Sequence, residues 1–161
     1  MNKAVFLDRD GVINKEKKDY VKTIDELEIF DNISWCIQQL KKNNYLVIVI
    51  TNQSSINRGL IDTQKIHEIH DEIQNYLAKF NTKIDAFYFC PHRPDENCSC
   101  RKPNPGLIIK ASNDFGIDLS TSWMIGDNES DVLAGKTAGC HTIKISHNNE
   151  LINSIKQILN F

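Results

Sequence analysis

The chain has few structural interrupters and little net charge, with 7 glycines, 4 prolines and a formal net charge of −2 in 161 residues. It has no Pro/Gly/Ser-rich linker, no internal repeat and no low-complexity tract. That excludes modules on tethers and predicts a single domain over 1–161, a length that one hydrophobic core can serve. Without an excess of basic residues there is no electrostatic footprint for nucleic acid or for an anionic membrane surface. No apolar stretch approaches the roughly 20 residues of a membrane span, and the N-terminus enters a strand-like run without an apolar signal region. The expectations are therefore a cytoplasmic location, no nucleic-acid partner and no membrane partner. Nothing in the pattern reads as a dimer seam, so a monomer is expected.

What the chain does have is an uneven distribution of its 5 cysteines, of which Cys90, Cys98 and Cys100 crowd into one short stretch. In a reducing compartment this is the spacing of metal ligands and not of a disulfide framework. Together with His92 they form C-x-H-x5-C-x-C, three thiols and an imidazole suited to a tetrahedral zinc whose four ligands all come from protein. Such a closed site leaves no position for substrate, so the zinc is expected to be structural. Cys100 runs directly into Arg101-Lys102, so folding the loop around zinc would fix the direction of the lysine. Cys36 and Cys140 read as buried thiols.

Strand and helix patterns alternate. Lys3–Asp8, Tyr45–Thr51, Ile84–Cys90, Ser122–Gly126 and His141–Ile145 are short apolar runs, the pattern of strands buried on both faces. Helices are expected near Asn32–Lys42, Asp62–Phe80, Pro105–Phe115, Asp127–Thr137 and Asn149–Leu159. In the second, Ile66, Ile69, Ile73, Leu77 and Phe80 make a core-facing stripe. Trp35 and Trp123 read as core residues, and His67 and His70, three apart on that helix, as ordinary exposed histidines. This order implies an α/β fold of three layers around a mainly parallel sheet, with ligands at the carboxyl ends of the strands.

The strand ends carry the chemistry. The first ends in Asp8-Arg9-Asp10-Gly11, and paired carboxylates at a strand exit suit a bound cation or shared acid–base work. The second ends in Thr51-Asn52-Gln53-Ser54, whose hydroxyls and amides suit phosphoryl oxygens. Arg101-Lys102 adds cations, and Gly126-Asp127 through Asp131 adds carboxylates after a further strand. Each cluster alone reads as a polar turn. In this order they match the requirements of phosphoryl transfer to an aspartate.

The set Asp8-x-Asp10-Gly11, Thr51, Lys102 and Gly126-Asp127 resembles the haloacid dehalogenase superfamily of phosphatases, over roughly residues 3 to 145. The resemblance implies a Rossmann-like fold in which Asp8 is the nucleophile and Asp10 first protonates the leaving oxygen and then activates water. Thr51 and Lys102 stabilise the phosphoryl group. Magnesium is held by Asp8, the main-chain carbonyl of Asp10 and Asp127, with Asp131 one shell further out. No separate cap domain fits between Thr51 and Lys102, because a helix, a strand and the zinc-binding loop fill that segment.

CPHRPDENCSCRKPNPG is similar to the zinc-bearing branch that contains the D,D-heptose 1,7-bisphosphate phosphatases and the histidinol-phosphatases. The short spacer between His92 and Cys98 is nearer the second group. Tyr20-Val21, the segment Asp25–Asp31, TNQSSINRG and KPNPGL resemble the first and favour it. A small phosphorylated sugar is then the implied substrate, with Arg9, Glu16, Asp19, Tyr20, Asn52, Gln53, Ser54, Arg58 and Arg101 lining its pocket beside the catalytic residues. Ser55 stands where that family has glycine, implying a different local backbone path. Asn128 stands where it often has lysine, implying a lost phosphate contact. The rival of another class is a non-catalytic binding protein that keeps the fold, which would be expected to have a broken catalytic set.

Overall fold

Neighbouring residues of a strand point to opposite faces of a sheet, and the first strand shows what this does here. Val5 and Leu7 enter one apolar cluster, Ala4 and Phe6 another. The computed structural model describes residues 1–161. They form β1 (Lys3–Leu7), α1 (Ile33–Lys42), β2 (Tyr45–Asn52), α2 (Thr63–Ala78), β3 (Ala86–Cys90), α3 (Gly106–Phe115), β4 (Trp123–Gly126), α4 (Glu129–Ala138), β5 (His141–Lys144) and α5 (Leu151–Leu159). All five strands are parallel, in the order β3-β2-β1-β4-β5.

The two clusters make the outer layers. Ile33, Ile37 and Leu40 of α1, Ile73 and Leu77 of α2, and Leu151, Ile155 and Ile158 of α5 cover one face of the sheet. Leu107, Ile108 and Ala111 of α3 and Ala134 of α4 cover the other. This is the three-layer α/β arrangement expected from the alternation. β1 lies at the centre, Val5 facing Val47 on one side and Trp123 on the other. The chain builds outward through β2 and β3, then returns to lay β4 against the free side of β1. The crevice beyond the carboxyl ends of β1 and β4 is thus a topological switch point, where open α/β sheets bind ligands.

Some expectations need correction. β3 and β5 are edge strands and only half buried, because the sheet ends there and each has a neighbour on one side alone. Phe80 lies beyond the end of α2 and is exposed, so the core stripe stops at Leu77. Trp35 and Trp123 are half-buried and pack on the margin of a cluster. His67 is exposed, but His70 is buried, since it faces the sheet between Ile69 and Ile73.

Candidate active site

The Asp8 N–H donates to the Ile125 carbonyl (3.0 Å), which ties the exit of β1 to β4 and brings Asp8 beside Asp127. Two glycines permit the approach. Gly11 turns the chain with φ +87°, and a Cβ there would overlap the Asp127 carboxylate; a Cβ on Gly126 would overlap that of Asp131. One carboxylate oxygen from each of Asp8, Asp127 and Asp131 lies within 4.8 Å of the others. Lys102, buried, runs into this group from the segment before α3. Its Nζ donates to Asp8 Oδ1 (2.9 Å), Asp131 Oδ1 (2.6 Å) and the Ile50 carbonyl (2.7 Å). The Asn52 amide holds the lysine's backbone: its Oδ1 accepts from the Lys102 N–H (3.0 Å) and its Nδ2 donates to the Lys102 carbonyl (3.1 Å). Asp131 uses its second oxygen to accept from the Asn128 N–H (3.0 Å) at the start of α4.

Burial raises the Asp8 carboxyl well above the usual range, and the Asp131 charge adds to this, against the attraction of Lys102. Asp127 is raised for the same first reason. Asp10 shifts the other way. Burial opposes its ionisation, but Arg9 beside it and hydrogen bonds from Asn14, Arg9 and Gln53 hold it below the usual carboxylate range. The Asp10 carboxylate accepts at Oδ1 from Arg9 Nη2 (2.9 Å) and Asn14 Nδ2 (3.0 Å), and at Oδ2 from Gln53 Nε2 (2.7 Å). Asp8, Asp10, Asp127 and Asp131 face only Lys102 and Arg9 as close cations, an excess of negative charge that a divalent ion would balance. Hard oxygen donors converging in this way fit magnesium.

The strand ends open into a cleft of about 350 Å³ lined by Asp8, Asp10, Glu16, Tyr20, Asn52, Arg101 and Lys102. That volume suits a small ligand. Lys17 and Lys18, between the expected lining residues Glu16 and Tyr20, also line it, and so do Asn128 and Ser130, which the strand-end pattern does not assign to it. Thr51, Gln53 and Ser54 are buried where β2 ends, with the Ser54 hydroxyl against Tyr20 Oη (3.0 Å). Asp19 is exposed outside the cleft lining. Arg58 is exposed too, its Nε donating to Ser54 Oγ (3.2 Å). Arg9 requires the clearest correction. Its side chain is fully buried and turns away from the cleft, because Asp10 and His70 take its guanidinium. Ser55 is buried outside the positive-φ positions, so the backbone there has no need of glycine. A larger open hollow between Lys41 and Gln74, about 640 Å³, carries none of this chemistry.

Just before Arg101 in the chain, the Cys90, Cys98 and Cys100 thiols and His92 Nδ1 converge within 4.8 Å. The sulfurs lie 2.9 to 3.6 Å apart, and His92 Nδ1 is 3.2 Å from Cys100 and 3.3 Å from Cys90. In a tetrahedral site with Zn–S bonds of about 2.3 Å the sulfurs stand about 3.8 Å apart, so this cage fits zinc once Cys90 and Cys100 move apart. Burial works against ionisation of Cys98, but hydrogen bonds from the Arg101 N–H and the neighbouring thiols bring it down to about 6. Arg101 connects the cage to the cleft: its N–H donates to Cys98 Sγ (3.3 Å) and its Nη1 to the His92 carbonyl (3.2 Å).

Comparison with known proteins agrees with this geometry. A HAD-hydrolase-like family model matches residues 99–151. The chain is 44% identical over 138 residues to a D-glycero-β-D-manno-heptose-1,7-bisphosphate 7-phosphatase of Helicobacter pylori, covering 85% of this chain and 79% of that protein. It is 40% identical over 166 residues to the corresponding α-anomer phosphatase of Campylobacter jejuni, covering 99% and 95%. A crystal structure of the D,D-heptose 1,7-bisphosphate phosphatase of B. bronchiseptica, complexed with magnesium and phosphate, superposes with a TM-score of 0.86 at 34% identity, over 94% of this chain and 86% of that one. Fold and site thus define a phosphatase of the haloacid dehalogenase superfamily. Within it, the chain belongs to the family of the heptose-1,7-bisphosphate 7-phosphatases.

Proposed function

We propose that this enzyme removes the 7-phosphate of D-glycero-D-manno-heptose 1,7-bisphosphate through an aspartyl-phosphate on Asp8. The observation that carries the reading is the placement of Asp8 at the switch point, paired with buried Lys102 and beside Asp127, below a cleft that also presents Arg101, Lys17 and Lys18 to a second phosphate. Asp8 attacks phosphorus as the bond to the sugar oxygen breaks, and Asp10 delivers a proton to that oxygen. Asp10 then takes a proton from water as the water attacks the phosphoenzyme, releasing phosphate and Asp8. In the free protein the donors around Asp10 favour its carboxylate, the form that accepts the water proton. A phosphate dianion arriving beside it raises its proton affinity for the first step. Lys102 and Thr51 stabilise the charge spread over the phosphoryl oxygens.

Asp8, the Asp10 carbonyl and Asp127 hold magnesium in this reading, with Asp131 behind them steering Lys102. The ion lets an anionic carboxylate approach an anionic phosphate. The same proposal includes one domain over 1–161 and a cytoplasmic monomer acting on a small phosphorylated sugar, without nucleic-acid or membrane partners. No helix of the chain is long and apolar enough to cross a membrane.

The test is phosphate release with magnesium, comparing both anomers of the heptose bisphosphate with histidinol phosphate. Preference for a bisphosphate by about tenfold or more in kcat/KM, with heptose 1-phosphate as the product, supports the reading. Preference for histidinol phosphate overturns the substrate and leaves the aspartate chemistry standing.

Zinc in the Cys90–Cys100 cage belongs to the same proposal, with Arg101 as the link to the cleft. Chelation of zinc followed by restoration of magnesium is expected to lower kcat by about tenfold or more and to lower the melting temperature, because metal binding and loop folding are one equilibrium. A zinc-free protein that stays folded with unchanged kcat contradicts the link.

A further inference from the structure

From the buried contacts behind the cleft we infer that His70, outside the substrate site, is a positioning residue for Asp10 and acts through the Arg9 guanidinium. The inference rests on the reading of Asp10 as the proton-transfer residue. Arg9 is fully buried, and a guanidinium in that position is costly unless its donors are taken up. It has one anionic partner, Asp10 Oδ1 at 2.9 Å through Nη2. Nη1 meets His70 Nε2 at 3.2 Å, and Nε has no partner.

The imidazole is the only group other than Asp10 that holds the fork. To accept from a guanidinium it must be neutral at Nε2, and its surroundings ensure this: burial and then the Arg9 charge lower it to about 3. Its ring is held in turn by stacking on Phe87 of β3, with centroids 4.4 Å apart and planes at 16°. Phe89 meets it more edge-on at 6.3 Å. A rigid strand therefore fixes the histidine, the histidine one arm of the guanidinium, and the other arm one oxygen of Asp10.

The placement has a chemical purpose. Arg9 lies one residue from Asp8 in the chain, and a free guanidinium there would compete with Lys102 for the nucleophile or draw Asp10 out of line. Without the His70 acceptor, Nη1 becomes a second unpaired donor, and turning toward the cleft is the nearest way to satisfy it. The consequence is a misplaced proton donor, which costs rate without removing any group that touches substrate.

The experiment exploits what Asp10 does. An aliphatic leaving group such as the heptose oxygen needs a proton, whereas the nitrophenolate of p-nitrophenyl phosphate departs without one. His70→Leu is expected to lower kcat/KM for the heptose bisphosphate about 10–100-fold and that for p-nitrophenyl phosphate by no more than about threefold. His70→Gln, which restores an acceptor at the same reach, is expected to recover the first value to within about threefold of the parent. His70→Met, similar in volume and without a good acceptor, serves if the leucine variant does not fold, and is expected to behave like it. Equal losses on both esters, or a glutamine variant as impaired as the leucine one, would show a packing role and overturn the inference. Asp10→Asn is the control. If it shows the leaving-group difference and His70→Leu does not, only the inference fails; if Asp10→Asn shows none, the reading of Asp10 fails and the inference with it.

Discussion

Asp8→Asn is expected to abolish magnesium-dependent phosphate release, by roughly 10⁴-fold or more, while leaving the protein at least as stable as the parent. The two halves of this result have separate causes. Loss of a nucleophile removes the covalent route, and what remains is the contribution of binding and of charge stabilisation by the other groups. The stability side follows from burial. Asp8 is pressed among Asp127 and Asp131, and desolvation already disfavours its charge. An asparagine of the same shape removes the charge and still accepts from Lys102. With Asp8 among the proposed magnesium ligands, magnesium is expected to raise the melting temperature of the parent and to raise that of the variant less. Phosphate release and thermal unfolding with and without magnesium test both halves. Residual turnover within about tenfold of the parent would remove Asp8 from the role of nucleophile.

Lys102→Met is expected to damage stability and turnover together. The lysine is the only cation between Asp8 and Asp131, and all three side chains are almost completely buried. Breaking a buried ion pair by deleting one partner leaves uncompensated charge and typically costs about 3–5 kcal/mol. Removing a donor aimed at developing charge costs about 10²–10³ in kcat. The two losses separate in the double variant Lys102→Met/Asp131→Asn. Removing the Asp131 charge leaves only Asp8 without its cation, and should recover part of the stability measured by urea unfolding and almost none of the activity. Parallel recovery of both would mean that the lysine acts on the fold and not on the phosphoryl group.

These expectations draw on two kinds of information. Asp8, Thr51 and Asp127 were readable along the chain because each follows an apolar run, and a parallel α/β sheet places whatever follows a strand at one edge of the molecule. The zinc cage was readable for a related reason: three thiols and an imidazole within eleven residues need only a local loop to meet. The same logic misplaces Arg9. Flanked by Asp8 and Asp10, it reads as part of the phosphate site, yet the residue that claims it, His70, is 61 positions away. The periodicity of α2 puts His70 on the apolar face, four residues after Ile66 and three before Ile73, but it carries no sign that Arg9 is the partner there.

The sequence by itself determined the alternation of strands and helices, the order in which chemical groups appear at the strand ends, and the composition of both candidate metal sites. These depend on short-range spacing, which hydrophobic pattern and residue type encode directly. The tertiary structure alone decided that β4 returns to the side of β1 and brings Asp127 against Asp8, that Lys102 crosses 94 positions to reach Asp8, and that Lys17 and Lys18 face the cleft while Asp19 and Arg58 do not. Each of those depends on which elements become neighbours. Adjacency is settled by the burial of two apolar clusters over the whole sheet, and a side chain's partner follows from it.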